Sequence, residues 1–125
     1  MMILLTAMLT LNAAAQNSVD RMVEECATVG TAKFTSAIER NPRTREVVKV
    51  VKTLRLDSPG NVKLRNGFLH EAKQHNSTTT VNDRQTTVIF TDELHGSARV
   101  YMLKADDDRS EVTIIVNYKN SKKQE

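Results

Sequence analysis

The sequence predicts an α+β domain built on an antiparallel sheet of about five strands, with helix packed on one face. Three observations predict it. Five stretches alternate apolar and polar side chains with period two, the pattern of half-buried strands. Two other segments carry apolar residues at helical spacing, and turn-forming residues separate the elements at short intervals. The order is helix, two strands, helix, three strands, and a single antiparallel sheet with helix on one face accommodates it most simply. Strict alternation leaves the opposite face largely in water.

The elements follow in chain order. Ser18 is placed to cap a short helix, with Asp20 in its first turn and Val19, Met22, Val23 and Cys26 on one side; Gly30 ends it. From Thr31 the period changes: Ala32, Phe34, Ser36 and Ile38 alternate with Lys33, Thr35, Ala37 and Glu39. Asn41-Pro42-Arg43-Thr44 is a turn, since proline presets its second position and asparagine suits its first. Residues 45–56 then read either way. As a strand they carry apolar residues on one face and a basic stripe on the other; as a helix, Val47, Val48, Val50, Val51 and Leu54 also cluster. Valine density and the tight turn before them favour a strand, which makes 31–56 a hairpin.

Ser58-Pro59-Gly60 breaks the chain, and Pro59 suits the first helical position after a serine cap. Val62, Leu64, Phe68, Leu69 and Ala72 then form a helical stripe to about His75. Gly67 inside it costs about 1 kcal/mol relative to alanine, so a packing reason or a kink is expected there. Residues 76–80, Asn-Ser-Thr-Thr-Thr, read as a polar connection or the start of an extended segment. Three strands close the chain at 85–91, 97–104 and 111–118, with turns at 92–96 and 106–110 and a polar tail from Asn120.

Length and composition bound the function. The 125 residues suffice for one domain. A net charge of +3 falls short of the field a dedicated nucleic-acid binder carries. Aromatic residues are 4% and tryptophan is absent, which argues against a stacking platform for bases or sugars. One cysteine excludes an intrachain disulfide and a cysteine-based zinc knuckle.

Residues 1–15 read as a signal peptide. They are uncharged, their apolar core (Ile3, Leu4, Leu5, Ala7, Met8, Leu9 and Leu11) is too short to span a membrane, and Ala13-Ala14-Ala15 fits cleavage before Gln16. No basic residue precedes the apolar run, which is a departure from the usual signal; the alternative is a buried N-terminal helix. Cleavage leaves a periplasmic or secreted domain from Gln16 on, without stable membrane insertion.

Candidate chemistries are few. His70, Glu71 and His75 read H-E-x-x-x-H, whereas the zinc-hydrolase motif needs its histidines four apart. Five apart, they stand about 140° around a helix axis and read as exposed polar residues. His95 in a turn is a conceivable distant third ligand. Asp106-Asp107-Asp108 lacks the alternate spacing, glycine and distal glutamate of a calcium loop and reads as a solvated turn. Cys26 beside Glu24 and Glu25 is poorly placed for a thiolate and reads as a small core residue. No nucleophile elbow, dinucleotide fingerprint or P-loop occurs. No catalytic residue, metal ligand or cofactor is assigned.

The basic stripe stands above background. From Arg40 to Arg65 there are eight Lys/Arg and two acids, Glu46 and Asp57. On a strand, Arg43, Arg45, Lys49 and Arg55 project from one face. They mark either a solvated face whose charges discourage aggregation or a docking surface for an acidic protein or another anionic polymer, with nucleic acid disfavoured.

The alanine-ended signal, the hairpin Ile38-Glu39-Arg40-Asn41-Pro42-Arg43-Thr44-Arg45-Glu46-Val47 leading into a Lys/Val-rich strand, the helix around 64–72 and the closing strands ending at 112–118 resemble the small exported α+β domains of gut Bacteroidetes. That resemblance implies an envelope location and an antiparallel α+β fold. No activity is agreed for the group, so it carries over no catalytic residue.

The expected function is therefore a non-enzymatic exported module that binds a macromolecule through an open sheet face. Two other readings stand beside it: a small metal-dependent hydrolase using His70, Glu71, His75 or the 106–108 turn, and a structural, self-associating envelope subunit.

Overall fold

A computed structural model describes residues 17–94 and 96–118. The predicted signal segment, His95 and the tail from Asn120 lie outside the described residues. In chain order the elements are α1 (Ser18–Cys26), β1 (Lys33–Arg40), β2 (Val47–Asp57), α2 (Gly60–Ala72), β3 (Ser77–Asn82), β4 (Gln85–Leu94), β5 (Ser97–Ala105) and β6 (Arg109–Tyr118). The strands form one sheet in the order β1-β2-β6-β5-β4-β3, and every neighbouring pair is antiparallel. The class is α+β, as the alternation predicts.

The sheet has six strands rather than about five. The additional one is β3, Ser-Thr-Thr-Thr-Val-Asn, which pairs with β4 from Ser77↔Phe90 to Asn82↔Gln85. It is exposed along its whole length. An edge strand that buries neither face needs no hydrophobic alternation, so its signal is confined to β-branched threonine.

Several boundaries move. The 45–56 segment is strand and not helix from Val47, where β2 begins; Arg45 and Glu46 precede it. The cap of α1 is Asn17 and not Ser18. Its side chain accepts from the Asp20 amide (3.0 Å) while the Asp20 carboxylate accepts from the Asn17 amide (3.1 Å), a reciprocal capping box. Pro59 precedes α2 as its cap residue, and the helix stops at Ala72, short of His75. Asp92, Glu93 and Leu94, read as turn, continue β4 opposite Arg99, Ala98 and Ser97. The chain reverses instead around Gly96, whose φ of +80° suits a residue without a Cβ.

The core follows from the register. Leu54, Val112, Leu103 and Val88 lie in one row across four strands, and Ile114, Tyr101 and Phe90 in the next. They form a single buried cluster with Val19 and Val23 of α1 and Leu64, Phe68 and Ala72 of α2.

Gly67 has a packing reason. A Cβ there would sit 2.4 Å from Met22 Sδ and 3.1 Å from its Cε, so α1 and α2 approach through the missing side chain. Gly67→Ala is expected to be near neutral in the native background, because the shift of the flexible Met22 thioether offsets the gain in helix propensity of about 1 kcal/mol. In a Met22→Ala background it should add about 1 kcal/mol from helix propensity. Denaturant titrations of the four proteins measure the coupling; an equal effect of Gly67→Ala in both backgrounds contradicts the packing account.

Candidate functional site

Two groups of polar side chains stand out, one buried under α1 and one at the end of the sheet. In the first, Asp20 is 6% exposed. Its Oδ2 accepts from Tyr101 Oη (2.9 Å), Arg99 Nη1 (3.0 Å) and the Asn17 amide (3.1 Å). Asn17 Nδ2 in turn donates to Asp92 (3.2 Å). Burial raises the Tyr101 phenol well above its ordinary value, and the Asp20 charge raises it further. A phenol held this firmly protonated serves as a hydrogen-bond donor and not as a base.

Beside it, Ser18 donates to Glu71 Oε1 through both its amide (3.3 Å) and its hydroxyl, and His75 Nε2 lies 2.7 Å from Glu71 Oε2. His75 stacks on Phe90 with ring centroids 4.6 Å apart. Of the three residues read as an exposed motif, only His70 is exposed; Glu71 is buried and His75 half-buried. The Glu71–His75 contact spans four residues, one helical turn, whereas the sequence reading weighed the five-residue spacing of the two histidines. This order does not support nucleophilic catalysis. A carboxylate stands between the serine and the histidine, so the histidine has no hydroxyl to activate. Among the described residues, no three His, Cys, Asp or Glu side chains gather to hold a metal.

Burial by itself raises the Glu71 carboxyl, but the hydrogen bonds from Ser18 and His75 outweigh it and leave its pKa below the ordinary value. A depressed folded-state pKa stabilises the fold above the unfolded value, and the gain is lost as pH falls through the folded one. Wild type should therefore exceed Glu71→Gln in stability from about pH 5 upward, with the difference shrinking toward about pH 3. Urea titrations across that range check it; a difference independent of pH contradicts it.

Cys26 is half-buried against the core, and burial pushes its thiol up. In the 106–108 turn, Asp106 Oδ1 accepts from the backbone amides of Asp108 (2.8 Å) and Arg109 (2.9 Å). Asn61 Nδ2 clips the same turn through the Asp107 carbonyl (3.1 Å).

The second group contains part of the predicted basic stripe. Arg43 and Arg45 lie in the β1–β2 turn, not on the strand face. There Asn41 Oδ1 accepts from the amides of Arg43 (2.8 Å) and Thr44 (3.2 Å), and Arg45 takes a φ of +67°. Lys49 and Arg55 do share a sheet face, but six residues of strand place them on the order of 20 Å apart. Lys49 stands opposite Glu39, whereas Arg55 stands opposite Lys33 and on its other side opposite Glu111, which in turn faces Lys104. The four predicted residues are therefore not brought together.

Arg55 instead joins a shallow cavity of about 170 Å³ lined by Gln85, Lys104, Asp106, Arg109 and Glu111 as well. Asp106 is engaged by its turn, and Arg109 Nε donates to Asp57 (3.1 Å). Neither Arg55 nor Lys104 forms an ion pair among the described residues. Sequence reasoning missed Lys104 and Arg109 because they flank a turn far along the chain. The alternation of 97–104 and 111–118 assigns their faces, but not which strand lies beside β2.

Among the described residues, no helix is long and apolar enough to cross a membrane. Comparison with protein-family models and with curated proteins finds no match to the chain.

Proposed function

We propose that this protein is an exported, non-enzymatic binding module that docks an acidic protein segment on the open face of its sheet. The reading takes both helices to cover the face that carries Leu54, Val112 and Leu103, which leaves the other face to a partner. The shared buried cluster of helix and strand residues favours that arrangement.

The observation that carries the proposal is the cationic end of the other face. Lys33, Arg55, Glu111 and Lys104 occupy one row across four strands, three cations against one carboxylate. Like charges directly opposite one another, as at Lys33↔Arg55, are unfavourable unless an anion bridges them. Toward its middle the same face becomes apolar, with Val51, Ile115, Val100, Met102 and Ile89 half-buried. A segment with carboxylates at one end and small apolar side chains beyond them would match it. Export and the scarcity of aromatic side chains favour a protein over a nucleic acid.

The test is fluorescence anisotropy of a labelled polyglutamate peptide at low and physiological salt. Arg55→Glu/Lys104→Glu should weaken binding by at least about tenfold, and salt should weaken the wild type. Arg43→Glu/Arg45→Glu in the turn should have a smaller effect. Unchanged affinity in the Arg55/Lys104 variant overturns the proposal.

A further inference from the structure

We infer that β1 is a self-recognition edge: two copies of the chain pair antiparallel through residues 33–39, about a two-fold axis at Ser36, to form a continuous twelve-stranded sheet. β1 pairs only with β2 among the described residues, so its other side presents a row of backbone donors and acceptors. All eight of its residues are exposed. Phe34 and Ile38 are 38% and 56% exposed although they point to the face that carries the core.

The self-complementarity lies in the register. With Ser36 opposite its own copy, Phe34 meets Ile38 of the second chain and Lys33 meets Glu39, each twice by symmetry. The two exposed apolar side chains of each copy then cover those of the other. On the opposite face, the incoming Glu39 lies beside Lys33, which is set against Arg55 within its own chain. The second copy thus adds a carboxylate to a row that holds three cations and Glu111 as its one acid. A register shifted by one residue would place Lys33 against Arg40 and turn the second copy's helices to the other side. The one irregularity in β1 falls between Glu39 and Arg40, outside the paired stretch. The other edge, β3, has no charged residue with which to select a register.

Sedimentation velocity of the purified chain over a concentration series tests the inference, with a register-specific trap alongside. Wild type should show a monomer–dimer equilibrium. Lys33→Glu should weaken it about tenfold, because it sets two carboxylates together across the interface; within its own chain it faces Arg55, so the monomer stays folded. Lys33→Glu/Glu39→Lys should restore dimerisation. In a Cys26→Ser background, Ser36→Cys should form a disulfide-linked dimer under mild oxidation, and Thr35→Cys, which does not face its own copy, much less. A monomer at every concentration overturns the inference. So does a dimer indifferent to Lys33→Glu and not trapped at position 36, which would place the contact elsewhere. No anionic probe is present, so failure here leaves the docking of an acidic segment standing.

Discussion

Asp20→Ala is expected to lower stability by about 3–5 kcal/mol, the cost of removing one partner from a buried ion pair. At roughly 4–8 °C per kcal/mol for a domain near this size, the melting temperature should fall by at least about 12 °C. The size of the effect follows from what is left behind. Arg99 and Tyr101 both donate to Asp20 Oδ2, and the Asp20 and Arg99 side chains are 7% and 15% exposed. Without the carboxylate, the Tyr101 phenol loses its acceptor in the interior, the Arg99 guanidinium keeps only the Ser97 hydroxyl (3.3 Å), and the α1 cap loses half of its box. Asp20→Asn keeps an acceptor and should cost less. An apolar replacement of both partners, Asp20→Leu/Arg99→Met, should recover much of the loss, because no orphaned charge remains. Thermal melts followed by circular dichroism measure all three. A change below about 1 kcal/mol in Asp20→Ala would reduce the pair to a surface contact.

The second large effect is expected at Phe90. Its ring is 1% exposed, stacks on Tyr101 (centroids 4.7 Å) and on His75 (4.6 Å), and meets Phe68 at a tilt (5.2 Å). Phe90→Ala should cost about 3–5 kcal/mol, since the rings on either side are tied by hydrogen bonds and cannot collapse into the void. Phe90→Leu, which fills most of the volume, should cost less. Because Phe90 separates the Glu71–His75 pair from the Asp20–Tyr101 pair, its loss should also weaken the pH dependence that Glu71 contributes. Denaturant unfolding at neutral and acid pH reads both effects. A cost in Phe90→Ala no greater than in Phe90→Leu would show that the stack adds nothing beyond bulk.

These two residues show what could be read in advance. Phe90 was legible as an inward position of an alternating strand, because alternation is a relation between residues two apart. Its stacking partners were not, since Tyr101 and His75 reach it only through strand pairing and the exit of α2. Asp20 was legible as a first-turn helix acid, but its Arg99 contact spans 79 residues and leaves no local trace. The basic stripe failed in the same way. Parity correctly put Lys49 and Arg55 on one face, but the turn at Asn41 extends through Glu46 and takes Arg43 and Arg45 off the strand. Strand register, not chain proximity, groups Arg55 with Lys104.

The sequence by itself determined the class, the antiparallel hairpins and the strand nature of β1, β4, β5 and β6, and it favoured a strand over a helix for β2. Each of these depends on side chains within a few positions of one another and on short turns. Only the tertiary structure decided that β3 is a strand, that β6 inserts beside β2, and that cations from three strands meet at one end of the sheet. Backbone hydrogen bonding between strands is indifferent to side-chain identity. Which strand lies beside which is set by burying all the inward faces at once, and that is a property of the whole chain.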